Sequence, residues 1–190
     1  AVEPVAHLRV PSQDYPDIYA AVEAVRAFKE ARVLGARPLE ILLRAGDHNI
    51  GGSWQELLRV EGPAFSGVSM IGAGIGKTRM TGGMLVRGTG AGAPFCLEGV
   101  SLNNKRVPEQ QPFYYPNAGV CTSCDPHESC CAVRLTSCAI CDCSGHGVCA
   151  TGFGASLELV DCLVLRNGGT GVVAYHDARV RISGASSRMS

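Results

Sequence analysis

Asp125-Pro126-His127-Glu128 is where this chain concentrates its reactive side chains. A carboxylate and an imidazole two residues apart can face one side of an extended strand. Given a second acid or base, Asp125 and His127 could abstract a proton next to a sugar carboxylate, with Glu128 beside them to contact the sugar. A plainer alternative is that Asp125-Pro126 turns the chain and His127 is a solvated loop histidine. The tetrad follows residues 103–119, a polar, Pro-rich and aromatic segment that reads as a long loop. From that loop Tyr114 or Tyr115 could swing in, and Lys105 or Arg106 could hold a carboxylate. Long loops on repeat scaffolds often carry function while the scaffold positions them.

Ten cysteines offer other chemistry; nine fall between Cys96 and Cys149, and the last is Cys162. Cys121-x-x-Cys124 and Cys138-x-x-Cys141 have the spacing of two zinc-ligand pairs, with Cys130, Cys131, Cys143, His127 and His146 as further ligands nearby. The even number and density also suit disulfides in a secreted chain. However, Cys131, Cys138, Cys149 and Cys162 fall where small apolar side chains would stack inside a repeat. The reading adopted is buried free thiols with no cofactor, the structural zinc site being the alternative. Gly72-Ala73-Gly74-Ile75-Gly76-Lys77-Thr78 imitates a phosphate-binding loop, but Ile71 stands where that loop needs a glycine. It reads as a glycine turn. His176-Asp177 reads as an exposed turn rather than a catalytic pair, and Trp54 as a loop residue that stacks on a sugar or covers the first rung.

The elements that must position these residues are written in the spacing. Cys131-Ala132-Val133-Arg134-Leu135-Thr136-Ser137-Cys138 recurs in pattern as Ala155-Ser156-Leu157-Glu158-Leu159-Val160-Asp161-Cys162, then as Ala178-Arg179-Val180-Arg181-Ile182-Ser183-Gly184-Ala185. Val133 to Leu157 is 24 residues, Leu157 to Val180 is 23, and Gly147-Val148 recurs 24 residues on at Gly171-Val172. Period-two strands repeated at this interval point to a β-solenoid; helical repeats are longer, and the leucine-rich signature is missing. Ahead of the strands, Ile18, Ala21, Val22 and Val25 share one face of a helix that Asp14 can cap and that Gly35 and Pro38 end. Such a helix would cover the first rung. Lys plus Arg equals Asp plus Glu at 17 each, so no basic field favours nucleic acid. No apolar run approaches the length of a membrane span.

Ile41-Leu42-Leu43-Arg44-Ala45-Gly46-Asp47-His48, Val68-Ser69-Met70-Ile71-Gly72-Ala73-Gly74 and Thr78-Arg79-Met80-Thr81-Gly82 resemble the opening of pectin-lyase-like right-handed β-helix proteins. The preceding helix resembles their N-terminal cap. The resemblance spans most of the chain and implies fold more than activity, because this superfold hosts lyases, hydrolases, epimerases and non-catalytic modules. The tetrad itself resembles the active-site motif of mannuronan C5-epimerases, which share the fold and invert uronate residues within a polysaccharide. By that resemblance Asp125 and His127 match the catalytic Asp and His, and Val133, Leu135, Asp142 and Gly147-Val148 fall in register with the next rung. The family's catalytic tyrosine falls at Thr122, its second catalytic Asp at Thr151, and its Arg-His pair at Gly169-Thr170. These departures remove the groups that would move a proton on both faces of the sugar.

The chain is therefore read as one all-β domain, a right-handed parallel β-helix of about six rungs with an N-terminal capping α-helix. Residues 1–38 are the cap, 39–102 the first rungs, 103–119 the long loop and 120–190 the regular rungs, with the C-terminal end open. The function expected first is a non-catalytic or catalytically degenerate module binding an extended acidic polysaccharide or a protein partner along one face. The alternatives are a uronan C5-epimerase or lyase using Asp125 and His127, and a structural subunit whose open C-terminal rung docks onto a capping partner or further domain.

Overall fold

A computed structural model describes residues 5–31, 38–51, 57–105, 117–124, 130–184 and 188–189. It begins with a strand, β1 (Ala6–Val10), and a helix, α1 (Ile18–Glu30). Short strands follow: β2 (Leu39–Leu43), β3 (Gly46–Asn49), β4 (Leu58–Glu61), β5 (Val68–Ile71), β6 (Thr78–Thr81), β7 (Met84–Arg87), β8 (Gly90–Glu98) and β9 (Ser101–Asn103). Further along the chain come β10 (Val120–Ser123), β11 (Cys131–Thr136), β12 (Ala139–Cys141), β13 (Val148–Thr151), β14 (Ala155–Val160), β15 (Leu163–Leu165), β16 (Val172–Tyr175), β17 (Arg179–Ser183) and β18 (Arg188–Met189).

Among the described residues these strands pair into three parallel sheets. Seven strands form the first, in the order β1-β2-β5-β8-β11-β14-β17. Six form the second (β3-β6-β9-β12-β15-β18) and five the third (β4-β7-β10-β13-β16). From β2 onward each successive strand moves to the next sheet, and the fourth returns beside the first. That is the arrangement of a parallel β-helix.

The register follows the spacing in the sequence: Val133 pairs with Leu157, Leu157 with Val180, and Val148 with Val172. Alternation then sends one set of side chains inward on every rung. Leu8, Ile41, Met70, Leu97, Leu135 and Leu159 follow one another in register and are all buried. The next member of the ladder, Ile182 on β17, is 40% exposed.

The apolar face read from the helix is the buried one: Ile18, Ala21, Val22 and Val25. It packs against β1 and against a single 3-10 turn at Pro63–Phe65, where the Arg26 guanidinium lies 5.7 Å from the Phe65 ring centroid. Two details differ from the sequence reading. Asp17, not Asp14, caps the helix, its carboxylate accepting the Ala20 N–H at 2.8 Å. The helix also ends at Glu30, ahead of Gly35 and Pro38, where the Ala31 N–H still donates to Ala27 O at 3.0 Å. Residues 1–38 also contribute more than a helix, since β1 pairs with β2 from Ala6–Leu39 to Val10–Leu43. Among the described residues no helix is long and apolar enough to cross a membrane.

All ten cysteines are free. Cys138 and Cys162 sit in equivalent places one rung apart. Cys138 Sγ donates to Leu97 O at 3.4 Å and Thr136 O at 3.3 Å; Cys162 Sγ donates to Leu135 O at 3.3 Å and Val160 O at 3.4 Å. The single S–H of each thiol is thereby shared between a carbonyl of its own rung and one of the rung before it. Burial raises the Cys143 thiol pKa to about 11. Cys149 departs from the reading. It is buried, but in a small cluster apart from the core formed by its neighbours Val148 and Ala150. The glycine-rich stretch before Thr78 is a turn, as read. Thr78 is buried and its Oγ1 donates to Arg44 O at 3.1 Å, so its hydroxyl belongs to the scaffold.

Two measurements check this packing. Phe95 is fully buried in the core, so Phe95→Ala should destabilise the fold by about 3–5 kcal/mol in urea unfolding. Titration with a thiol reagent in denaturant, without reductant, should count ten thiols. In the native protein the exposed Cys130 should be alkylated before the buried cysteines.

Candidate functional site

The outer face of the five-stranded sheet carries the candidate site. On β10, β13 and β16 the residues Val120 and Thr122, Val148 and Ala150, and Val172 and Ala174 share the inward phase. The residues between them face outward and line up in two rows. One row runs Arg59, Leu85, Cys121, Cys149, Val173. The other runs Glu61, Arg87, Ser123, Thr151, Tyr175. Successive members are one strand spacing apart, about 4.8 Å.

The first row is apolar at its centre. Cys121 and Cys149, with Ala118, form the small buried cluster, and Leu85, Val173 and Tyr175 pack against it. The neighbouring Cys149 thiol, with burial, holds the Cys121 pKa well above the ordinary range. The second row is polar and ends in rings. The Tyr175 ring centroid lies 6.4 Å from that of His146 and 6.3 Å from that of His176. His146 is 9% exposed, and its Nδ1 accepts the Thr170 N–H at 3.0 Å. The neutral imidazole therefore carries its proton on Nε2. His176 Nδ1 lies 3.3 Å from Thr151 Oγ1. His176 and Asp177 form an exposed turn, as read, both with left-handed φ (53° and 62°). One phenol, two imidazoles, the Arg87 guanidinium and two hydroxyls thus belong to one face. Such a set can hold carboxylates and hydroxyls and can stack on a ring.

Of the residues singled out in the sequence, Asp125, His127, Glu128, Arg106, Tyr114, Tyr115 and Trp54 lie outside the described residues. The residues flanking the tetrad are described. The Cys124 N–H donates to Thr151 O at 3.0 Å, and the Cys131 N–H donates to Gly154 O at 3.4 Å. Cys124 and Cys131 are thereby tied to Thr151 and to the turn that follows β13. Lys105 is exposed, and its charge bears on Asp142, whose carboxyl is held below its usual pKa chiefly by Arg166.

The proposed zinc quartet is not assembled. Cys121 is on the third sheet, Cys124 just beyond it, Cys138 in the core and Cys141 on the second sheet. Among the described residues no three His, Cys, Asp or Glu side chains gather as a metal site. Thr122, where the resemblance sets the family's tyrosine, is fully buried with Oγ1 3.0 Å from Cys131 Sγ. Its hydroxyl faces the core. Thr151, at the position of the second Asp, is on the outer face. Tyr175 and His146 were not picked out for this face from the sequence, although Tyr175 lies 24 residues after Thr151, the repeat interval itself.

No family model matches the chain, and no curated protein matches it in sequence. Among solved structures it is similar to the A-module of the mannuronan C-5 epimerase AlgE4 of Azotobacter vinelandii, with 18% identity and a TM-score of 0.54, over 87% of this chain and 46% of that one. The AlgE6 A-module of the same organism aligns at 13% identity and a TM-score of 0.42, over 90% of this chain and 53% of that one. The chain spans about half the length of each module. The likeness to the AlgE4 module is one of fold: a parallel β-helix.

The turn that follows β13 can be tested directly. Gly152 has φ +93°, and a Cβ there would come within 1.8 Å of Cys124 O. Gly152→Ala should destabilise the protein by more than about 1 kcal/mol. It should also shift the amide resonances of Cys124 and Cys131, while those of the distant β2 stay in place.

Proposed function

We propose that this chain is a right-handed β-helix module, with α1 as its N-terminal cap, that binds an acidic polysaccharide across the outer face of the five-stranded sheet. The observation that carries the reading is the in-register row Arg87, Ser123, Thr151, Tyr175 with two imidazoles near the phenol ring. A polymer laid across the rungs meets a new strand about every 4.8 Å, close to the length of one sugar. Arg87 pairs with a carboxylate, the Ser123 hydroxyl and the exposed His176 imidazole bond sugar hydroxyls, and the Tyr175 ring packs on a sugar face, with the buried Thr151 and His146 supporting them from beneath. Lys105, Arg106, Tyr114, Tyr115 and Glu128 supply further contacts from the loop and tetrad. In this reading Asp125 and His127 bind without turnover.

A second reading is a uronan C5-epimerase or lyase. Two observations favour it: the fold shared with an A-module named as a mannuronan C-5 epimerase, and the bonds of Cys124 and Cys131 to Thr151 and Gly154, next to the Thr151–Tyr175 row. Asp125 and His127 would then abstract the proton at the sugar carbon bearing the carboxylate. A second acid would have to return it in epimerisation, and Thr122 is the wrong residue, because its hydroxyl is spent on the core.

Proton NMR of the purified chain with polymannuronate, polyguluronate and polygalacturonate separates the two. Binding alone should broaden the sugar lines without new signals, and Tyr175→Ala should weaken the interaction about tenfold. New anomeric or unsaturated signals that vanish in His127→Ala would establish turnover instead. Sharp, unchanged sugar lines with all three polymers would end both readings.

A further inference from the structure

Phe153 is 76% exposed, more than any other large hydrophobic side chain among the described residues. It stands between Gly152 (φ +93°) and Gly154 (φ +86°) on the turn joining β13 to β14. That turn is tied down on every side. The Gly152 N–H donates to Tyr175 O at 3.2 Å, and the Ala155 N–H donates to Gly152 O at 3.1 Å. Cys124 O presses against Gly152, leaving no room for a Cβ. A phenylalanine ring is thus held in water on a rigid mount, forgoing the stabilisation that burial would bring. Its two chain neighbours are glycines, so no adjacent side chain covers the ring.

The mount lies at the rim of the candidate face. Phe153 is two residues beyond Thr151, and the backbone between them bonds to Tyr175 on the next rung. We infer that Phe153 is a stacking platform for a sugar ring, an outlying subsite of the polymer site proposed above, on which this inference rests. A pyranose presents a face of C–H bonds that packs on a flat aromatic ring, and the aromatic edge needs no carboxylate partner. The subsite therefore contributes affinity for the sugar chain as such, while Arg87 and the imidazoles select the charge. A protein hot spot is the weaker match. Such contacts sit in contiguous apolar patches, whereas this ring is flanked by glycines and by the exposed His176-Asp177 turn of the neighbouring rung.

The test titrates mannuronate oligomers of increasing length into wild type, Phe153→Ala and Phe153→Trp, with NMR and calorimetry as readouts. Because the side chain is exposed, all three should fold alike by circular dichroism. The wild type should show a step in affinity once the oligomer reaches the rim, with upfield ring-current shifts on one sugar's C–H protons. Phe153→Ala should lose those shifts and about tenfold in affinity for long oligomers only, and Phe153→Trp should keep both. Equal binding by wild type and Phe153→Ala would overturn the subsite while leaving the binding face intact. Neutral mannan oligomers form the second arm. Binding of these alone, with Phe153-dependent shifts, would uphold the platform and remove the acidic-polymer reading; no binding of either kind would overturn both. Wild-type self-association in sedimentation that Phe153→Ala abolishes would overturn the platform in favour of a protein contact.

Discussion

Each strand in this chain must give its backbone amides and carbonyls to the strands one turn before and one turn after. Those bonds form only while consecutive turns stay in step. The stepping is enforced from inside, because a slip of one residue would turn Leu135 and Leu159 outward and bring Arg134 and Glu158 into the core. Backbone pairing and side-chain matching are therefore one constraint. Everything else hangs on it, including the thiols that bond to carbonyls of the preceding turn and the left-handed Ser137 and Asp161 at equivalent corners.

The same alternation separates two jobs. Inward residues hold the stack, and outward residues are left to chemistry. On the first sheet the outward positions are filled by an ion-pair ladder, with Arg134 2.7 Å from Glu158 and Arg181 3.9 Å from the same carboxylate. These pairs are solvated and add little to stability. On the third sheet an ion pair stands only at the β4 end, where Arg59 lies 3.1 Å from Glu61, and the outward positions of β10, β13 and β16 carry hydroxyls, a ring and buried thiols. That contrast between faces of one scaffold is why the third is the candidate surface.

Much of the fold could be read in the residues. The interval from Val133 to Leu157 to Val180 is the observed register, and Ile18, Ala21, Val22 and Val25 are the buried helix face. The candidate face was harder to read, for a physical reason. Val120–Ser123 and Val148–Thr151 hold small or apolar residues at nearly every position, and most are buried. Alternation without contrast does not say which side is out, so Cys149 was assigned to the core and Tyr175 was overlooked. In the same way Ala6–Val10 does alternate, but five residues ahead of a helix did not stand out as a strand until pairing with β2 revealed it. Asp14 and Asp17 both suit a helix start by type, and only the geometry chooses Asp17.

The in-step pairing of Val148 with Val172 also governs how such a molecule can change length. Removing residues 148–171 would join Gly147 to Val172 and hand every later strand to the neighbour its predecessor had. Removing one residue from within a strand of the same stretch would turn the residues beyond it to the wrong face, whereas a turn can absorb the loss, as the 24- and 23-residue intervals on either side of Leu157 show. Gains and losses along the stack are thus tolerated in whole turns of the helix or in the loops at its corners, and the outer face of the third sheet can be lengthened or shortened rung by rung without redesigning the core.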